Sequence, residues 1–211
     1  MLIRLLCALS AIFLFATQGS DALATPYEQP KGWPCEQVYN PTIPLGTIWQ
    51  GAPIDAYKET WWENNALDSV LEQLEDLTLN EQDVENAIDS FIETNDDSDQ
   101  EKNLLQLFTG LYERMTHLYQ RQLEGILRFS QRQQQLAQKV SEAAAVLRNK
   151  RKEGATLADS AYKEAEADLE WITRVFDERQ KLTLYICEEP IFLRQQLGFR
   201  ARAIQKHLRQ P

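Results

Sequence analysis

The chain has 211 residues, 26% of them charged, with a formal net charge of -10 and a pI near 4.8. An acidic balance of this size excludes the basic footprint with which nucleic-acid binders hold phosphates. The charge is unevenly spread: residues 55–101 hold 16 acidic side chains and one basic, whereas residues 102–211 hold 19 basic and 13 acidic. Such asymmetry either offers an acidic surface to a partner or lets acidic helices lie against basic ones within one molecule.

Residues 1–24 carry one cation at Arg4, an apolar run from Leu5 to Ala16 and a small-residue site, Ala22-Leu23-Ala24, ahead of Thr25. This is the anatomy of a cleavable secretory signal. The run is shorter than the roughly 20 residues that cross a bilayer, so membrane association is expected only if the leader stays attached. Cys7 leaves with the leader. About 187 residues remain, enough for one domain with a sizeable core.

Residues 25–54 hold six of the eight prolines and three of the eight glycines. Proline has no amide donor and clashes with the preceding turn, which excludes helix over most of this length. Trp33, Val38, Tyr39, Ile43, Leu45, Ile48 and Trp49 make it too apolar for a free linker. The segment is expected to lie as an extended arm against the bundle formed by residues 55–211.

From Asp55 the chain reads as helix. Asp55 to about Leu77 carries Trp61, Leu67, Val70, Leu71, Leu74 and Leu77 at three- and four-residue spacings. Thr78 or Asn80 caps a second, short helix with Val84, Ala87, Ile88, Phe91 and Ile92. Thr94 to Gln100 is a polar loop, with Ser98 or Asp99 as the next cap. A long helix then runs from about Asp99 to Lys152, its seam alternating four and three residues from Leu104 to Leu147 in the manner of a coiled coil. Gly154 stops it and Thr156 caps a fourth helix, through Ala161, Leu169, Ile172, Phe176 and Ile186, which returns antiparallel as a hairpin. Pro190 kinks or restarts the chain, and a last helix bearing Leu193, Leu197, Ala201, Ile204 and Leu208 is basic on its outer face.

Two cysteines remain after the leader, Cys35 in GWPCEQ and Cys187 in YICEEP. In an oxidising compartment an even count reads first as one disulfide. The competing reading is a pair of reactive thiols or metal ligands, with His117 or Met115 nearby; it lacks a CxxC motif and further zinc ligands.

Catalytic constellations are missing. The histidines are His117 and His207, no paired ExxH supports a di-metal bundle, and no phosphate-binding, zincin or nucleophile-elbow motif occurs. Trp33, Trp49, Trp61 and Trp62 crowd into about thirty residues and either line an interface or ligand groove or cement the arm to its bundle. Gln131 to Gln138 places amides where a seam wants leucine, as a hydrogen-bonded layer or as a stretch where the hairpin projects beyond the body. Arg148 to Lys152 at the hairpin tip is a solvated charge run or a contact for an anionic surface.

In order, GWPCEQ, IWQGAPI (Ile48 to Ile54), LFTGLYERM (Leu107 to Met115), EGILRFSQRQQQLA (Glu124 to Ala137) and LEWITRVFDERQKLTLYICEEP (Leu169 to Pro190) resemble a family of uncharacterised exported proteins of proteobacteria, over nearly the whole mature chain. The resemblance implies a shared pair of cysteines, early beside Trp-Pro and late before proline, and a periplasmic address. It implies no activity and no catalytic or ligand residues. VYNP after Gln37 departs from the more basic stretch associated with the family.

The expected fold is all-α: a long antiparallel coiled-coil-like hairpin, short acidic helices at its base and an extended N-terminal arm stapled by Cys35 and Cys187. The expected function is that of a non-enzymatic periplasmic interaction module without a cofactor, an adaptor, chaperone-like or accessory subunit whose partner is another protein. A homodimer is compatible with the seam. The alternatives are a small-molecule binder using the tryptophan-rich arm and a redox or metal-handling protein using the two cysteines.

Overall fold

A computed structural model describes residues 28–95 and 99–208; the leader expected over residues 1–24 and the candidate cap Ser98 lie outside them. Six helices follow in order: α1 (Leu45–Ile48), α2 (Leu67–Glu75), α3 (Glu81–Thr94), α4 (Gln100–Lys152), α5 (Ser160–Lys181) and α6 (Thr183–His207). Two single 3-10 turns, Asp55–Tyr57 and Trp61–Glu63, lie between α1 and α2, and no strand occurs among the described residues.

Helix α4 is 53 residues long, about 80 Å at 1.5 Å per residue. Its end is closed by a glycine in the left-handed region: Gly154 has φ +88°. The Ala155 amide donates to the Lys150 carbonyl and the Gly154 amide to that of Arg151, which satisfies carbonyls the helix leaves open. The chain turns back, and α5 and α6, separated by Leu182 alone, return along α4 as one bent limb of an antiparallel hairpin.

Several boundaries differ from those expected. The helix read over Asp55 to Leu77 is two 3-10 turns and the nine-residue α2. Asn64 is extended, and its side-chain amide donates to Asn103 Oδ1 and Gln106 Oε1 on α4, at 3.1 and 2.9 Å. These long-range bonds hold the chain out of helical register. Asn80 caps α3 as expected, its Oδ1 accepting from the Asp83 amide. Thr156 does not cap α5: its amide donates to Asp159 Oδ2 at 2.7 Å in a turn, and the helix begins at Ser160. The limb breaks at Leu182, whereas Pro190 sits buried inside α6. Proline there leaves the Ile186 carbonyl without its usual donor, and the next carbonyl, Cys187, accepts from Gln37 Nε2 of the arm at 2.6 Å.

The main core lies at one end. It joins α2, α3, the first half of α4 from Leu104 to Leu123 and the second half of α6 from Leu193 to Ile204, with Ile43, Trp49 and Ile54 inserted from the arm. A separate, small cluster of Leu147, Tyr162 and Ala165 holds the far end of the hairpin. The acidic helices α2 and α3 therefore sit at the base of a projecting arm. Arg114 to Glu75, Lys206 to Glu85 and His207 to Asp89 tie them to the more basic α4 and α6.

One cation of α6 points inward. Arg200 is 0% exposed; its Nε donates to the Leu74 carbonyl at 2.6 Å, its Nη2 to that of Asp76 at 2.7 Å and its Nη1 to Gln196 Oε1 at 2.5 Å. The guanidinium thus closes the C-terminus of α2, where the helix dipole favours a positive charge. Burial pulls its pKa down and Asp76 works against that shift. Arg200→Met keeps most of the volume and removes the donors, so it should destabilise the fold by about 3 kcal/mol in urea unfolding. A loss under about 1 kcal/mol would mean that those carbonyls need no buried donor.

Candidate functional site

Of the expected site residues, Cys35, Cys187, Trp33 and Trp49 lie in the seam where the arm runs along α4 and α6. Cys35 and Cys187 form a disulfide with their Cα atoms 5.6 Å apart, across 152 residues of sequence. On α4, Tyr112 donates its hydroxyl to the Ile43 carbonyl at 2.6 Å, Tyr119 to that of Asn40 at 2.9 Å and Ser130 to that of Gly32 at 2.5 Å. As α4 advances from 112 to 130 the arm retreats from 43 to 32, so the two run antiparallel. Outside the single turn α1 the arm has no helix or sheet ladder, so its carbonyls need donors, and hydroxyls on one face of α4 supply them. The seven-residue spacing of Tyr112 and Tyr119 was the available sequence signal for this ladder.

The tryptophans take different places. Trp49 is buried and stacks on Phe108 with centroids 3.8 Å apart, while its Nε1 donates to the Ala52 carbonyl. Trp61 lies flat over Gly110, where an added Cβ would come within 2.7 Å of the indole, and donates to Glu113 Oε2 at 2.7 Å. Trp33 stands edge-on to Tyr39 and donates to the Gln37 carbonyl at 2.8 Å, which shapes the turn that carries Cys35. Trp62 is 53% exposed.

Of the glutamine run, Gln133 is buried and its Nε2 donates to the Phe176 carbonyl at 2.9 Å, an amide layer between the limbs; Gln131, Gln134, Gln135 and Gln138 are exposed. The layer and the projecting stretch both exist. Met115 is buried in the core and His117 is exposed. Among the described residues no three His, Cys, Asp or Glu side chains gather to hold a metal ion, and no helix is long and apolar enough to cross a membrane.

Beyond Gln133 the hairpin is two helices thick and carries apolar side chains outside its seam. Trp171 is 64% exposed on α5, Leu157 62% in the turn and Val146 49% on α4. Trp171 precedes the seam residue Ile172 and shows no periodic signal of its own in the sequence. Neither protein-family models, nor curated proteins, nor solved structures give a match to this chain.

Two predictions follow from the arm. Replacing Cys35 and Cys187 together by serine frees a loop of 152 residues, which should cost about 5 kcal/mol in the chain-entropy treatment. Amide exchange should then quicken over residues 28–54 before the α4 core opens; uniform quickening would mean that the arm and bundle unfold as one. Burial raises the phenol pKa of Tyr112 and of Tyr119 above the ordinary 10.0. The folded state holds these protons more tightly than the unfolded one, so the stabilisation is complete below pH 10 and lost as pH rises through the higher folded values. Urea midpoints should fall on the alkaline side, and Tyr112→Phe with Tyr119→Phe should flatten that fall while lowering stability at neutral pH.

Proposed function

We propose that the protein is a non-enzymatic periplasmic interaction module, an adaptor, chaperone-like or accessory subunit that meets a protein partner with its projecting hairpin. Kinship with the exported proteobacterial proteins that its motifs resemble belongs to the same reading. The observation that carries it is Trp171, 64% exposed on a two-helix arm that has little core of its own. Tryptophan is costly to leave in water and is enriched where protein interfaces concentrate their binding energy. The secretory-type leader and the Cys35–Cys187 bridge support an oxidising compartment.

The test is a photo-crosslinking residue at position 171 in cells, with the same residue at the exposed Glu164 as control. One discrete protein adduct at 171, absent at 164, is the expected outcome, together with Trp171→Ser leaving the urea midpoint nearly unchanged. Identical patterns at both positions would reject the hairpin as the contact surface. Turnover or stoichiometric metal in the purified mature protein would reject the non-enzymatic reading.

A further inference from the structure

A second surface lies midway along the hairpin, opposite the junction of α5 and α6. It is a groove of about 430 Å³, floored by Ile126 and Phe129 of α4 and Ile186 of α6, and rimmed by Arg128, Arg132 and Arg179. The Arg179 guanidinium lies 5.7 Å from the centre of the Phe129 ring, which places its charge over the apolar floor. Arg128 is paired with Glu124 at 3.3 Å, whereas Arg132 and Arg179 make no ion pair among the described residues. The single acid lining the groove is Glu189.

Gly125 lines the groove as well. Glycine is the least favourable helix residue after proline, costing about 1 kcal/mol against alanine in a helix interior. Of the other helical glycines, Gly110 is crowded by the Trp61 indole, a Cβ at Gly198 would make only ordinary contacts with Arg202 Nη1 at 3.5 Å and Ile48 Cδ1 at 3.7 Å, and one at Gly46 in α1 would meet nothing within 4 Å. A Cβ at Gly125 would meet only Arg128 Nη2, at 3.9 Å. Nothing inside the chain uses the missing side chain, and Gly125 lines the groove. The close approach it permits is open to a molecule from outside.

The apolar surface also continues past the groove. Leu182, three residues after Arg179 and four before Ile186, shares their helical face and is 48% exposed; Tyr185 is exposed beside it. An occupant that uses this length is extended rather than compact, and a basic rim over an apolar floor selects an acidic, amphipathic one.

We infer that this groove receives an amphipathic helix of a partner protein, with apolar residues three and four apart on the floor, acidic residues facing Arg132 and Arg179, and its backbone close to Gly125. The inference rests on the interaction-module reading and names the chemistry of the partner. Trp171 lies outside the groove, so an adduct at position 171 combined with an empty groove overturns the groove alone.

The test is selection of helical peptides from a random display library on the full mature, disulfide-bonded protein. Enriched sequences are expected to carry Leu, Ile or Phe at three- and four-residue spacing with flanking Asp or Glu. Their binding should weaken at least tenfold on Arg132→Glu with Arg179→Glu, and on Gly125→Leu. Gly125→Ala should raise the melting temperature while weakening binding, a split that a merely structural glycine does not produce. No enrichment, peptides without acidic bias, or binding indifferent to these variants overturns the inference. So does a medium-chain alkyl carboxylate that fills the groove and excludes every peptide, since the occupant would then be a small amphiphile.

Discussion

A 53-residue helix with an apolar stripe along its length has no stable existence alone in water, and covering that stripe organises everything else in the molecule. No single element is long enough. At the base, α2, α3 and the end of α6 cover it with a true core; in the middle the extended arm and the start of α6 share the task; at the tip α5 covers it with one thin cluster. Stability is therefore concentrated at one end and declines along the hairpin. Large exposed apolar side chains lie where it declines, at Trp171, Leu157 and Val146, and also at the base, at Trp62 and Phe192.

Polar groups fix how these covers are seated. Hydrophobic burial is non-directional and would tolerate α2 sliding along α6. The Arg200 guanidinium does not, because its donors must meet the carbonyls of Leu74 and Asp76 together. The arm is seated by the same means, with Tyr112, Tyr119 and Ser130 each matched to one carbonyl. Each such group is costly to misplace once out of water, so it converts a sticky surface into a registered one.

The parts of this architecture governed by local chemistry were legible in the sequence. Both ends of α4 were readable to within a residue, since Gly154 stops the helix by its own conformational freedom and no breaker precedes it. The disulfide was readable because only two cysteines remained to pair. What escaped depends on partners far away in the chain. The segment from Asp55 to Ala66 has helical spacing, yet it folds as turns because Asn64 and Trp61 find Asn103, Gln106 and Glu113 across about forty to fifty residues. The basic outer face expected of the last helix does not hold for Arg200, which stands three residues after Leu197 and four before Ile204, within the apolar stripe. Of the candidate surfaces, the four clustered tryptophans drew attention by their density, while Trp171, alone on α5, carries the larger exposure.

The arm's resting place also sets an order of events. Its bed is built from α4 and α6: Gln37 reaches the Cys187 carbonyl, Ile48 lies near Gly198, and the hydroxyls come from α4. Part of that bed is α4 alone, but the contacts to Cys187 and Gly198 are complete only after α6, the last helix of the chain, has been made. The arm leaves the ribosome before any of the helices it will rest on, and it must wait through the synthesis of the whole bundle. The arm, made before the helices it rests on, is thus the last part of the described chain to find all its contacts.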